Sequence, residues 1–352
     1  MHFINISKII FSKIIDFTGF YKHKIDSFNI RNNNRSWLIL MYHRVISDSS
    51  HDPFNLGMCV TDKAFEKQLI YLKKHYKITK LSEVINGYNS GIKLQDNTLS
   101  LTFDDGYEDN YLYARPILEK YAVPATVFVS TGYIGEEKEF WWDEIERLLL
   151  IEQEIVMSSD EKNDSEEHCD RKEMSGNTKK NKRDALPWNV LRSEVPTIKH
   201  ELYIYLCNKF QSMTSEQIEA ALGELRGWTG RNAMARKSHR PMTVGQISSL
   251  ASSGLIDVGA HTRTHVNLAA QDFDAQKEEL IGSKKDLEEW LGREVSSFCY
   301  PFGTSQHYNK ESVKLAKESG YQLATTTYAG CVTRLNSRFE LPRCNIRNWD
   351  GN

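Results

Sequence analysis

The residues best suited to chemistry fall in four short runs. The first is Leu101-Thr102-Phe103-Asp104-Asp105-Gly106-Tyr107, where two adjacent carboxylates follow an apolar strand and precede a glycine. Neighbouring residues on a strand point to opposite sides, so the two carboxylates should do different jobs. Read alone, Asp-Gly is turn chemistry. The second run, IDVGAHTRTH from Ile256, separates His261 and His265 by four positions. One helical turn would bring both imidazoles to one face, with about 5–6 Å between Cβ atoms. Two imidazoles and a carboxylate leave an open coordination position, which is the pattern of a catalytic zinc site. The third run is Cys299-Tyr300-Pro301-Phe302-Gly303, a strand followed by a tight turn. The fourth is Met41-Tyr42-His43-Arg44. Alone, His43 reads as a structural histidine. Its place at the carboxyl end of the first strand promotes it, because that end carries the site in α/β folds.

The elements that must position these runs alternate along the chain. Seven β runs are visible: Trp37–Val45, Thr98–Phe103, Ala125–Ser130, Leu255–Ala260, Ser297–Tyr300, Tyr321–Thr326 and Glu340–Ile346. Helical patterns lie between most of them. Thr61–His75 carries Phe65, Leu69 and Leu72 on one face, with Thr61 as N-cap. Asn110–Tyr121 looks helical despite Pro116. Asp274–Leu291 is a long helix, with Gln276–Trp290 read as a solvated face. Asn309–Ser319 is another helix, with Gly320 as the residue that ends it. Strands alternating with helices predict a parallel sheet, open or closed.

Residues 151–240 break the rhythm and read as an insertion between the third and fourth strands. Within it, 158–184 is densely charged, with Cys169 and Met174 its only apolar residues. Such a segment cannot bury enough surface to offset its ordering entropy, so a mobile loop is expected. Helical patterns follow at Ile198–Phe210 and Ser215–Leu225. The aromatic-acidic run Phe140–Glu144 reads as a packing cluster that anchors the insertion. The chain is therefore divided into an amphipathic helical segment (1–36), a barrel (37–346) interrupted by the insertion, and a tail (347–352).

Composition bounds the rest. The 45 Lys and Arg nearly balance the 47 Asp and Glu, a net charge of −2, so nucleic acid is not expected as a partner. No stretch reaches the length of apolar chain needed to span a bilayer. The N-terminal segment lacks a cleavage pattern and is read as a docking helix or a peripheral membrane contact. The six cysteines form no C-x-x-C pair and are expected as reduced thiols, in a cytoplasmic protein at the inner face of the membrane.

Taken together, the T-F-D-D-G, H-T-x-x-H and P-F-G runs, in this order, resemble the polysaccharide deacetylases of the NodB-homology family, carbohydrate esterase family 4. The resemblance covers about residues 37–135 and 240–346. It implies a distorted (β/α)7 barrel and metal-dependent removal of N-acetyl groups from an amino sugar. The substrate would be a bacterial polysaccharide or its lipid-linked precursor. It makes Asp104 the general base and Asp105, His261 and His265 the metal ligands, with Zn2+ preferred and Co2+, Ni2+ or Mn2+ as alternatives. Phe302 stands where the family offers a main-chain N–H to the oxyanion. Tyr107 and Arg343 join it as oxyanion or substrate-binding residues. Two family residues are missing. Cys299 replaces the arginine that partners the base, and the late acid histidine is absent near Leu341-Pro342-Arg343. One branch, similar to the biofilm poly-N-acetylglucosamine deacetylases, carries a first-strand histidine instead, which makes His43 the acid. Arg343 or Arg44 is left to replace the arginine beside Asp104. The missing residues also leave room for a cyclic amide substrate, or for a degenerate glycan-binding barrel.

Overall fold

The computed structural model describes residues 37–47, 58–89, 97–151, 195–333 and 335–348. The expected N-terminal helix and the charged loop 158–184 lie outside the described residues. Among the described residues, no helix is long and apolar enough to cross a membrane.

The seven β runs all contribute to one parallel sheet. Its strands are β1 (Trp37–Tyr42), β5 (Thr98–Phe103), β6 (Ala125–Val129), β7 (Ile256–Ala260), β8 (Ser297–Cys299), β9 (Leu323–Thr325) and β10 (Cys344–Asn345). Their spatial order is β10-β1-β5-β6-β7-β8-β9. A short β4 (Lys77–Ile78) also pairs with β5. Leu341 bridges to Thr325 of β9, while Leu40 and Met41 pair with Cys344 and Asn345. The chain thus passes from β9 back to β1 within a few residues, and the sheet closes as a distorted barrel. The first β run is shorter than expected. It breaks at His43, and Arg44–Ile46 (β2) leaves the barrel to pair with Cys59–Thr61 (β3).

Alternation along β1 sorts the core. Leu38, Leu40 and Tyr42 share an outer cluster with Leu99, Leu101 and Phe103. Trp37 and Ile39 share another with Phe128, Cys299, Leu323 and Leu341. These come from strands far apart in the sheet order, so their meeting place is the inside of the barrel. Helix α2 (Leu81–Asn89) contributes Leu81, Val84 and Ile85 to the same cluster. The sequence Thr-Leu-Ser-Leu-Thr-Phe of β5 therefore turns its hydroxyls inward. Trp37 Nε1 donates to Ser100 Oγ at 3.0 Å.

Local signals set the helices. Thr61 caps α1 (Asp62–His75) by accepting from Ala64 N–H. Asn309 caps α9 (Lys310–Glu318) through a capping box with Ser312, and Gly320 follows at φ 82°. Pro116 has no N–H for the ordinary ladder. The turn before α3 (Arg115–Lys120) widens to a π-turn over Asn110–Ala114, with Arg115 N–H bonded to Asn110 O. Helix α7 (Val244–Ser252) leads into β7. Helix α8 (Phe273–Leu291) corrects the sequence reading. It buries a stripe of Gln276, Glu279, Leu280, Ser283 and Leu287, so its charged run is not wholly a solvated face.

The insertion packs around a separate apolar cluster. Helices α4 (Trp141–Leu149), α5 (Ile198–Phe210) and α6 (Ser215–Thr229) meet through Trp141, Ile145, Phe210, Ile218 and Leu222, and Tyr107 joins them from the barrel. The helical unit includes α4, upstream of the expected boundary at 151.

Candidate active site

Every site run lies at the carboxyl ends of strands. Phe103 ends β5, and the chain turns immediately, with Asp105 at φ 74° and Gly106 at φ 96°. The two carboxylates diverge and meet different surroundings, as their adjacency suggested.

Asp104 is buried against Arg343. The guanidinium donates to Oδ1 at 2.7 Å from Nη1 and to Oδ2 at 2.6 Å from Nη2. The same guanidinium reaches Thr102 Oγ1 at 3.0 Å and Cys299 Sγ at 3.0 Å. Cys299 lies beside this ion pair, and Arg343 reaches it from the segment just before β10. Arg44, the other candidate, points elsewhere: it bonds Asp109 at 2.7 Å and lies over the Tyr107 ring at 4.5 Å. Burial alone would raise the Asp104 carboxyl. The Arg343 charge and its hydrogen bonds outweigh that and hold it below the usual carboxylate range.

Asp105 faces the two histidines. Its Oδ1 lies 3.5 Å from His261 Nε2 and 3.4 Å from His265 Nε2. Its Oδ2 is buried with no hydrogen-bond partner. His261 Nδ1 is 2.7 Å from the Cys299 carbonyl oxygen, which can only accept. Nδ1 therefore carries a proton, and Nε2 faces Asp105. The two histidines are not one turn of helix apart, as the spacing suggested. Residues 261–265 form an irregular bend in which Thr262 (φ 63°) and His265 (φ 55°) are left-handed. The imidazoles still meet, with ring centroids 4.8 Å apart.

These residues fit a divalent cation. Donors about 2.0–2.1 Å from a tetrahedral zinc stand about 3.3 Å from one another, close to the separations above. The orphaned Oδ2 of Asp105 is the kind of buried atom that a cation would satisfy. Asp105, His261 and His265 each offer a ligand atom within 4.8 Å of the others. Two other buried groups meet the same criterion: Asp104, His261 and Cys299, where Arg343 already takes both Asp104 oxygens and Cys299 Sγ, and Asp143, Glu146 and His239. Arg236 occupies the Asp143–Glu146–His239 group by donating to Glu146 Oε2 at 2.7 Å, so that group reads as the ionic core of the insertion.

The remaining expectations divide. His43 follows Tyr42, which pairs with Phe103, so His43 stands level with Asp104 on the next strand. It is half-buried, and its Nδ1 has no hydrogen-bond partner. Phe302 sits at φ 58° in the turn after β8. Gly303 follows at φ 59°, where a Cβ would lie 2.6 Å from Thr327 N. The Phe302 ring flanks His265 at 4.8 Å. Tyr107 is a correction. It is buried, and its hydroxyl donates to Asp143 at 2.5 Å and accepts from Trp142 Nε1 at 2.8 Å, so its one hydrogen is committed inside the protein rather than turned to a substrate. Arg343 is likewise fully buried and committed to Asp104, so it does not bind substrate directly. The aromatic run Phe140–Glu144, read in the sequence as a packing cluster, also reaches the site: the Trp142 ring lies 4.6 Å from that of His265.

Fold and donor set together define an α/β barrel with a hydrolytic type of site at its carboxyl end. A family model described as polysaccharide deacetylase matches residues 91–183 and 209–324, more than half of the chain. YxkH of Bacillus subtilis, which carries the name polysaccharide deacetylase, is 22% identical over 309 residues, covering 88% of this chain and 70% of that protein. The poly-β-1,6-N-acetyl-D-glucosamine N-deacetylase of Staphylococcus aureus is 34% identical over 135 residues. That match takes in 35% of this chain and 46% of the staphylococcal protein. Among solved structures, the deacetylase PplD of Streptococcus pyogenes, in complex with acetate, superposes with a TM-score of 0.55 at 20% identity. It covers 89% of this chain and 93% of that one, and at this identity it shows the fold. The chain belongs to the polysaccharide deacetylase family. Its class is that of hydrolases acting on carbon–nitrogen bonds.

Proposed function

We propose that this protein removes N-acetyl groups from N-acetylglucosamine units of a bacterial glycan, with a divalent cation held by Asp105, His261 and His265. The observation that carries the reading is the pairing of an incomplete donor set with a separate, charge-paired Asp104. When bound, such a cation acts as a Lewis acid on the amide carbonyl and lowers the pKa of a water beside it.

The chain's own residues supply the rest. Asp104, kept ionised by Arg343, accepts a proton from the attacking water. The oxyanion that develops on the carbonyl takes a hydrogen bond from the Phe302 N–H, which has no acceptor among the described residues. An amine does not leave as an anion, so the departing nitrogen must gain a proton. His43, on the strand beside Asp104, donates it. Water adds to the acetyl carbon, the C–N bond breaks, and acetate and a free amino sugar remain. Trp142 and Phe302 wall the His265 side with aromatic surface and exclude bulk water there.

The test is acetate release from N-acetylglucosamine oligomers, with bound metal measured on the same sample. Activity should vanish with chelator and return with Zn2+. His43→Ala should lose about 10²–10⁴-fold in rate and keep its metal. Metal loss in that variant would make His43 a ligand rather than the acid. A metal-loaded protein that frees no acetate from any amino sugar would overturn the proposal.

A further inference from the structure

The bend that carries His261 and His265 has no glycine, yet two of its residues are left-handed. Such backbone persists only where the surroundings over-determine it. Two elements do so here. From the segment after β6, Thr131 N–H donates to Thr262 O at 3.2 Å and Gly132 N–H to Arg263 O at 2.8 Å. From α8, one carboxylate takes the donors on the other side. Arg263 N–H and Thr264 N–H both bond Glu279 Oε2, at 2.7 Å and 2.9 Å. Thr264 Oγ1 donates to Glu279 Oε1 at 2.5 Å. Glu279 is buried, and α8 packs against β7, the strand that delivers the bend. Asp286, two turns along α8, joins the two brackets by accepting from Thr131 Oγ1 at 2.6 Å and from Arg263 Nε at 3.0 Å.

We infer that Glu279 is a positioning residue for the cation site: its carboxylate fixes the backbone between the two histidines and so sets the spacing of their Nε2 atoms. The inference rests on the reading that Asp105, His261 and His265 hold the cation. Glu279 touches neither cation nor substrate and acts through the main chain. A side chain that keeps an acceptor in place should preserve the spacing. Glutamine can accept both N–H groups on its carbonyl oxygen and donate its amide to Thr264 Oγ1. Alanine can do neither.

The test compares Zn2+ affinity by chelator competition, and the visible spectrum of the Co2+-loaded protein, in wild type and four variants. Glu279→Ala should weaken Zn2+ binding about 10–100-fold and alter the Co2+ bands. Glu279→Gln should stay within a few-fold of wild type with unchanged bands. Thr264→Ala, which deletes one of the three bonds, should fall between them and gives the readout if Glu279→Ala does not fold. Gln276→Ala is the control. Gln276 is buried in the same helix but bonds Ser312 and Gln271, so its loss should lower Tm without moving Zn2+ affinity. Wild type that binds no divalent metal would sink the site reading itself. Wild type that binds while Glu279→Ala and Thr264→Ala bind equally well, or Gln276→Ala that weakens binding as much, would overturn the role of Glu279 alone.

Discussion

Asp104 and Asp105 share a peptide bond, yet their surroundings are opposite in character. Both oxygens of Asp104 are met by one guanidinium inside the barrel mouth, and the charge is cancelled on the spot. Asp105 instead has one oxygen at contact distance from two imidazoles and the other with no partner. The first environment is finished without anything added. The second holds donors that a positive charge would satisfy. A charge-paired carboxylate suits proton transfer, since it stays ionised and each oxygen keeps a second lone pair for a proton. An unsaturated donor set suits a cation. The barrel obtains both from one Asp-Asp step because the chain turns left-handed at the second residue.

The largest effect should come from exchanging the two environments' central atoms. Asp104→Asn should cost about 10²–10⁴-fold in kcat while leaving metal content intact. Asp105→Asn should lose the metal itself. Equal metal content in both variants, measured on the purified proteins, would erase the distinction.

Next in size is Arg343→Met, which leaves the Asp104 carboxylate buried and unpaired. Removing one partner of a buried ion pair typically costs about 3–5 kcal/mol, read here from urea denaturation. The pH dependence should also change sign. In the wild type Asp104 is depressed, so its contribution is present above the unfolded carboxyl pKa and is lost as pH falls through the folded one. In the variant, burial is opposed only by the His261 and His43 charges, the smallest of the lowering causes, and should raise the carboxyl, so stability drops as pH rises through it. The acid limb of kcat/KM should move to higher pH with it. An unmoved limb would mean that Arg343 does not set the state of Asp104.

The smallest effect belongs to the unfinished side. Stripping the cation should lower Tm, since bound metal at about 100 times its Kd adds only about 2.7 kcal/mol. Arg343→Met should show the same Tm decrement on chelation as wild type. A smaller decrement would mean that the two environments are coupled.

Much of this was legible in the residues. The seven strands stood out because parallel strands covered on both faces read as near-continuous apolar runs. The aspartates and histidines stood out because they sit at the ends of those runs. The partner of Asp104 did not, since Arg343 and Arg44 both lie inside β runs of the sequence, and only barrel closure between β9 and β1 decides between them. The bend at His261–His265 was read as helical because left-handed backbone at threonine and histidine has no composition signal. Glu279 hid in a charged helix for a similar reason: its partners are main-chain N–H groups, which no side-chain pattern reports. Tyr107 looked available in the sequence, and the insertion's Trp142 and Asp143 claim its hydroxyl.

Arg343 and Asp104 are 239 residues apart, and the arginine arrives on the segment that closes the sheet. During synthesis the reactive aspartates therefore emerge long before the cation that allows one of them to be buried. Until that segment docks, the charge of Asp104 favours a wet, open barrel mouth. Docking of that segment and burial of the Asp104 charge are thus one and the same contact.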